Sequence, residues 1–540
     1  MHKTLTKYLW WILLTGVLIF FLNLDVLHVN IMEARNFVTA REMVHDGNWL
    51  LTTMNAEPRY EKPPLPTWLT AISGITFGME SLFALRLPAA LITLLLLYFF
   101  FKLIPKLEVS LKQSFLATLI LATSFYIIFA GRNGQWDIFT HSFMMGGIYF
   151  LWKFFSSTEG LYKNGFLAAF FIGLSFLSKG PVSLFALLLP FLIAYGTTYK
   201  FTSFRSRLKP FLVFLLIALA VSAWWFIYVR VFDPIAFLKV TSVETSRWAN
   251  YNVKPFYYYW SFFTQSGIWT IPAFVGLLYP YLKNKVSNKR AYVFSMVWTL
   301  SAVILLSIIP EKKARYLLPV MIPLALNTSF YIEYLFRRFQ SLPRKESWVV
   351  YFNFALIACI GIAFPLGAPF FLKPDGYWSQ YFFTSIVLFG IGAAIIYFLI
   401  KKKFPQVFYL TVAFICGIMA VGFPLANALL HNPDFRNFSE LQTNKPVGLK
   451  IYEYDHLTPE IIWEYGEPIP RIYDKDSIRF PEEEKFGLLI IEKDTSELKK
   501  LENSYSIQPS GRYDLNYVNP EKRGYKSRLI RRFYVLEKKE

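Results

Sequence analysis

Cysteine is nearly absent. Cys359 and Cys416 are the only two in 540 residues, both lie inside apolar runs, and neither stands in a CxxC spacing or near a histidine. That excludes a disulfide framework and a cysteine-based metal site, and both read as small buried hydrophobes. Charge is scarce as well, at 17% of residues against 55% hydrophobic and 19% aromatic. Such a chain is too apolar for an ordinary soluble protein and too long for one core, so lipid must be part of its solvent. It contains no P-loop, no GxGxxG and no internal repeat, which leaves nucleotide-driven transport and repeat-built secondary transport without support. The six histidines lack metal-ligand spacing, and His28, His45 and His141 read as interfacial or helix-lining groups.

What the chain does have is basic charge and long apolar segments. The formal net charge is +20, a balance that suggests nucleic acid in a soluble protein, but here the placement of the charges matters more than their sum, and no nucleic-acid partner is expected. A membrane-crossing helix needs about 20 mostly apolar residues. Thirteen segments fit, over 8–27, 81–101, 114–130, 137–155, 165–178, 181–199, 210–229, 261–282, 291–309, 317–336, 348–372, 381–400 and 405–430. Gly180-Pro181 is what separates the fifth from the sixth. The first segment follows Lys3 and Lys7 as a signal peptide would, yet it is long and lacks an A-x-A pattern after it, so it reads as a retained helix.

Lys and Arg in short loops mark the cytoplasmic side. With the N-terminus inside, Lys102, Lys106, Lys112, Lys153, Lys163, Lys200, Arg205, Arg207, Lys209, Lys283, Lys285, Lys289, Arg290, Arg337, Arg338, Arg344, Lys345, and Lys401 to Lys403 all fall in cytoplasmic loops. The polar tail 431–540 is then outside. Its period-two run, Lys450 to Leu457, is followed by a helix start at Thr458-Pro459-Glu460 and a buried-strand run, Gly487 to Asp494, the pattern of a small α/β domain. The expected division is a transmembrane domain 1–430, including a long first outer loop 29–80, and a soluble domain 431–540.

The outer loops hold Glu33, Glu42, Asp46, Glu57, Glu61, Asp137, Asp233, Glu244 and Glu311. In the first of them Glu33 to Val44 has the spacing of an amphipathic helix lying in the interface, with Arg35, Arg41 and Glu42 on its polar side. A second long loop, Arg230 to Trp260, carries Trp248, Tyr251, Phe256, Tyr257, Tyr258, Tyr259 and Trp260, an aromatic segment at headgroup level. Four clusters there could do chemistry: Glu33-Ala34-Arg35, Arg59 to Pro64 (RYEKPP), Arg132 to Asp137 (RNGQWD) and Glu311 to Tyr316 (EKKARY). Lys62, Arg247, Lys312, Lys313, Arg315 and the Tyr316 hydroxyl can serve a lipid phosphate, although snorkelling to ordinary headgroups explains such cations equally well. Glu33 and Asp137, at helix mouths, are the carboxylates best placed as acceptor base or oxocarbenium stabiliser.

At these residues the chain resembles the membrane glycosyltransferases that use polyprenyl-phosphate sugars, particularly the bacterial aminoarabinose transferases acting on lipid A, and more distantly the protein O-mannosyltransferases. The resemblance runs through EARNFVTAREMVHDGNW and YEKPPLPTWL, the Arg86-Leu87-Pro88 entry, the Asp137 loop, the Ser178-Lys179-Gly180 turn, KKARYLLP (Lys312 to Pro319) and the small outer tail. It implies a polytopic all-α GT-C fold, an inverting transfer at the periplasmic face of the inner membrane, and a site beneath the first outer loop. It also implies donor-phosphate contacts at Lys62, near Arg247 and at Lys312 to Tyr316, with Arg35, Arg59 and Glu61 lining the cavity. The implied partners are a polyprenyl-phosphate sugar donor, membrane lipid, and a lipid A-like or other envelope acceptor rather than a protein. No cofactor is required by the sequence, and a divalent metal stays open.

The family usually carries an Asp-Glu pair at the head of the interfacial helix, where this chain reads Met32-Glu33. Three readings follow: Glu33 or Asp137 takes the role, the acceptor is itself acidic enough to need little base, or activity is lost. An ionised phosphate acceptor fits the second.

Overall fold

The computed structural model describes residues 2–201, 204–372, 374–430, 432–455, 458–474 and 477–539. His431, where the tail is expected to begin, and Leu457, at the end of its first expected strand, lie outside the described residues, as do the side chains of Arg205 and Trp248. The chain forms two compact units, residues 1–26 with 60–425, and 27–59 with 426–540.

The first unit is helical. Among its described residues eight helices are long and apolar enough to cross a membrane, nine if Leu111–Ala122 and Phe125–Gly131, bent by 67°, form one span. These eight coincide with eight of the thirteen expected segments, and the other five take different forms. Segment 114–130 is the bent pair. Segment 137–155 is the helix Asp137–Ser156, whose first turns carry Asp137, Thr140, His141 and Ser142. Segment 181–199 is a π turn, Leu184–Leu188, running into the short helix Leu189–Thr198. Segment 261–282 breaks where Gly267 takes φ 68°, and 317–336 is Leu318–Arg338, with Glu333, Arg337 and Arg338 in its last turns. Length and apolarity alone do not register a kink or a polar face.

Two of these helices position the site. Asp137–Ser156 and Leu161–Lys179 approach closely because Gly147 faces Ile172, where a Cβ would stand 2.7 Å from the Ile172 Cγ1. Thr140 Oγ1 donates to the Ser175 carbonyl at 2.9 Å, and Ser175 Oγ donates back to the Thr140 carbonyl at 2.7 Å. His141 Nδ1 and Ser183 Oγ, 3.0 Å apart, extend the seam. Inside a bilayer such polar groups have no water to turn to, so these rungs hold the helices in register.

The second unit joins residues 27–59, the first part of the expected outer loop, to the tail, a pairing that the linear division at 430 does not assign. The expected amphipathic segment is the helix Ile31–Asp46, and it is buried on more than one face, at Glu33, Asn36, Phe37, Thr39, Glu42 and Met43 among others. Its Arg41 makes contacts within this unit. The guanidinium donates to the carbonyls of Ile462 and Trp463 at 2.9 and 3.2 Å, closing the C-terminal end of the helix Pro459–Tyr465, as cations at helix C-termini do. Glu42 accepts from Thr53 Oγ1 and the Asn55 amide, both at 2.6 Å. It thereby fixes the hairpin of β1 (Thr53–Met54) and β2 (Glu57–Pro58), whose turn puts Asn55 and Ala56 at φ 60° and 59°, the left-handed pair of a type I′ turn.

The tail forms a four-stranded sheet of β3 (Ile451–Glu453), β4 (Lys485–Ile491), β5 (Tyr505–Asp514) and β6 (Ile530–Lys538) in the order β3-β4-β6-β5. β3 runs parallel to β4 and the other pairs are antiparallel. The β3–β4 crossover contains the expected helix at Pro459. Within this sheet Arg531 Nε donates to Glu453 Oε1 at 2.7 Å, and both side chains are fully buried. Burial pushes the Glu453 carboxyl up to about 8 from its ordinary 4.5, against the pull of Arg531. A carboxyl whose folded value lies above its unfolded value binds its proton more tightly when folded. The stability it contributes is complete below about pH 4.5 and is lost as pH rises through about 8. Thermal unfolding of the detergent-solubilised protein should therefore show its melting temperature falling from pH 5 to pH 8, and Glu453→Gln should flatten that slope.

Candidate active site

A cluster of charge gathers at the ends of the two packed helices. Asp137 opens one, where a carboxylate is favoured by the helix dipole, and Lys179 closes the other, where a cation is favoured. Gly180, at φ 72°, and Pro181 then turn the chain. Lys179 Nζ donates to Asp137 Oδ1 in a buried ion pair. The second carboxylate oxygen, Asp137 Oδ2, is buried with no hydrogen-bond partner among the described residues. A native interior rarely leaves such an atom unmet, so it points to a group that meets it in function.

The Glu311–Tyr316 segment stands over this pair. Lys179 Nζ lies 5.3 Å from the centre of the Tyr316 ring, and Arg315 acts electrostatically on the Asp137 carboxylate. Arg315 Nε is itself buried without a partner among the described residues. Tyr316 donates to Glu311 Oε1 at 3.2 Å, and Lys313 Nζ reaches the same oxygen at 2.5 Å. Burial, with Glu311 adding to it, pushes the Tyr316 hydroxyl above its ordinary value, so it stays a neutral donor. Tyr259 locks the segment, donating to the Lys313 carbonyl at 3.1 Å and accepting from the Lys313 amide at 3.0 Å. Lys62 also acts electrostatically on Lys179, and its Nζ lies 3.4 Å from Glu244 Oε2, whose other oxygen takes Arg247 at 2.7 Å. Burial would raise Glu244, but Lys62 and Arg247 together outweigh it and hold the carboxylate below its ordinary value.

Of the residues singled out in the sequence, Asp137, Arg315, Tyr316 and Lys62 are thus brought into one electrostatic cluster. Lys313 joins it through Glu311, and Arg247 through Glu244. Lys312 is turned elsewhere. Its ammonium, 2% exposed, sits on the carbonyls of Ile309 and Lys254 at 2.6 and 3.0 Å, and burial lowers its proton affinity. It braces the end of the preceding helix. Arg132 has a similar structural task, donating to the carbonyls of Ile19, Leu22 and Asn23 at 2.5 to 2.8 Å.

The RYEKPP cluster divides between the two units at Arg59 and Tyr60. Arg59 is buried and donates to Thr39 Oγ1 at 3.2 Å, while the Tyr60 hydroxyl donates to Asp233 Oδ2 at 2.7 Å. Glu61 follows Tyr60 into the first unit and is half-buried. Arg35 and Glu33 belong to the second unit. There the Glu33 Oε2 accepts from the Asn30 side chain at 2.8 Å and its amide at 3.4 Å, while Asn30 Oδ1 accepts from the Met32 and Glu33 amides. This is a reciprocal capping box. Among the described residues no group of three or more His, Cys, Asp or Glu side chains could hold a metal.

Lys179 is the residue that spacing did not single out as a site member. The signal available was positional: it ends the helix facing the one that Asp137 begins, on the same expected side of the membrane.

Residues 61–227, which carry Lys62, Asp137 and Lys179, match the family model described as dolichyl-phosphate-mannose-protein mannosyltransferase. The whole chain superposes on ArnT from Cupriavidus metallidurans in the apo state with a TM-score of 0.70 and 16% identity, covering 98% of both chains. The same protein bound to undecaprenyl phosphate gives a TM-score of 0.68 at 15% identity. The chain has the GT-C membrane glycosyltransferase fold. Among curated relatives with this likeness, an uncharacterised protein of Aquifex aeolicus is 24% identical over 91% of this chain and 90% of its own length. The undecaprenyl phosphate-alpha-4-amino-4-deoxy-L-arabinose arabinosyl transferase 1 of Proteus mirabilis is 25% identical over 62% of this chain, and the match spans 61% of that relative.

Proposed function

We propose that the protein is an inverting glycosyltransferase that takes its sugar from a polyprenyl-phosphate donor and passes it to a lipid A-like or other envelope acceptor at the periplasmic face of the inner membrane. The observation that carries this reading is the buried Asp137–Lys179 pair with its unmet carboxylate oxygen, ringed by Arg315, Tyr316 and Lys62. A GT-C fold across the whole chain supports it, as does a fold neighbour whose structure holds undecaprenyl phosphate.

In this reaction the acceptor oxygen attacks the anomeric carbon, the bond from that carbon to the phosphate oxygen breaks, and polyprenyl monophosphate leaves. Arg315, Lys62 and Lys313 stabilise the charge that grows on the phosphate, and the Tyr316 hydroxyl donates to it. The Asp137 carboxylate takes the proton of a hydroxyl acceptor. Lys179 keeps Asp137 ionised and fixed in place. Purified protein given a labelled polyprenyl-phosphate sugar should transfer or slowly hydrolyse it. Flipping without bond cleavage would replace this reading with a transporter. Mass spectrometry of envelope glycolipids from cells with and without the protein would identify the acceptor.

The basic loops support the proposed orientation. On the proposed topology, in which all thirteen expected segments cross and the first starts inside, a reporter fused at the C-terminus should be active only as an exported enzyme. A cytoplasmic signal would invert the whole assignment.

Lys62→Met should weaken donor binding by about 2 to 5 kcal/mol, the cost of losing one partner of a desolvated charge pair, with the fold intact. Binding of a labelled donor to the purified variant checks this. Unchanged affinity would leave Lys62 as the Glu244 partner alone.

A further inference from the structure

Far from the Asp137 cluster in the sequence, a cavity of about 270 Å³ is lined by Phe339, Leu342, Arg344, Ser347, Tyr351 and Lys402. It lies where the chain enters the helix Arg344–Gly367 and leaves the helix Trp378–Ile400, both in loops assigned above to the cytoplasm. Arg344 and Lys402 are exposed. Lys285 and Arg337, in neighbouring basic loops, are already paired with Glu346 and Glu333, whereas Arg344 and Lys402 form no ion pair among the described residues. Lys402 sits at φ 54°, in a helix-ending turn where glycine is the usual residue, so a cation is kept at the cavity at some backbone cost.

The same helix continues the pattern into the bilayer. Trp348, Phe352, Leu356 and Ile360 follow Arg344 at intervals of four and are 65%, 48%, 51% and 56% exposed. Residues four apart are neighbours along an inclined ridge that turns about 40° around the helix at each step. That ridge therefore runs from a cation at the membrane surface, past an interfacial tryptophan stacked on Phe352, obliquely down the helix for about three turns. Cations above and hydrocarbon below match one ligand class, an anionic amphiphile with a phosphate head and an acyl tail.

We propose that this cavity and ridge bind an anionic phospholipid of the cytoplasmic leaflet, its phosphate held between Arg344 and Lys402 and an acyl chain laid along Trp348 to Ile360. The site is separate from the proposed donor site. The full-length protein, purified in detergent, is mixed with phosphatidylglycerol or phosphatidylcholine and its lipid adducts are measured by native mass spectrometry. Phosphatidylglycerol should be retained at least roughly tenfold over phosphatidylcholine. Retention should fall by about the same factor in Arg344→Glu/Lys402→Glu, since each basic residue near the surface contributes a several-fold effect. The control Lys163→Glu/Lys209→Glu changes as much charge in loops assigned to the same face and should leave the adduct unchanged. If the reversed pair does not fold, Arg344→Gln/Lys402→Gln should show the same loss. Equal retention of both lipids, or retention unaltered in the neutral pair, overturns the proposal. Displacement by excess inorganic phosphate, or preferential uptake of polyprenyl phosphate, overturns it in favour of a free-anion site or a second donor site.

Discussion

Asp137→Asn should reduce transfer by about 10² or more, the usual worth of a positioned general base, and it should also destabilise the protein. The two effects have different origins and can be separated. Replacing the carboxylate leaves the Lys179 ammonium buried beside Arg315 without its ion pair. Breaking one side of a buried pair typically costs about 3 to 5 kcal/mol, whereas removing both sides together is often close to neutral. Asp137→Asn/Lys179→Met should therefore recover most of the melting temperature lost in the single variant. It should not recover transfer, because the proton acceptor is still missing. A double variant that regains both would reduce the pair to a structural brace between two helices and move the catalytic carboxylate elsewhere. Donor binding supplies a third reading. If Arg315, Lys62 and Tyr316 hold the phosphate as proposed, the double variant still binds donor, and the loss lies in the chemical step.

This pair also shows what the sequence made legible and what it hid. Asp137 stood out because an acid at a helix mouth in a membrane chain is costly unless used. Its partner Lys179 is 42 residues away, and no spacing rule joins them. Only the packing allowed by Gly147 and the Thr140–Ser175 rungs brings the two helix ends together. The eight long spans were legible because hydropathy is additive along the chain. The kinked and polar segments were not, since a 67° bend at Thr123-Ser124 or a left-handed Gly267 changes no composition. The first outer loop gave the subtlest misdirection. The period of Glu33 to Val44 is that of an amphipathic helix, as observed, but periodicity cannot say what covers the polar side. There Arg41 caps the helix Pro459–Tyr465 and Asn55 pairs with the Ile469 backbone at 2.7 and 2.8 Å. Those contacts join residues more than 400 positions apart. Likewise Lys312 and Lys313 are adjacent and chemically identical in sequence, and only the local fold sends one ammonium to backbone carbonyls and the other to Glu311.

Glu33→Gln should be tolerated, with transfer changed by a few-fold at most. Met32 stands where the resemblance noted in the sequence leads one to expect an acid, which makes Glu33 the nearest replacement by sequence, but the structure gives it a different task. Its carboxylate closes a capping box with Asn30, and glutamine keeps an oxygen that can accept the same bonds, so the helix start should lose no more than about 1 kcal/mol. Removing its negative charge would nevertheless abolish general-base catalysis if Glu33 were the base, with a fall of about 10² or more. The single substitution thus distinguishes a cap from a catalyst. The pH profile distinguishes the acceptors. If the acceptor is a phosphate monoester, its second ionisation near 6 supplies the nucleophile, and the rate in Glu33→Gln and in the parent chain should fall together as pH drops through that value. In that case Asp137→Asn should also cost less with the phosphate acceptor than with a hydroxyl acceptor, because an ionised nucleophile has no proton to give up. A Glu33→Gln variant that binds donor normally yet fails to transfer to either acceptor would return the catalytic role to Glu33 and leave Asp137 as the partner that holds Lys179 in place.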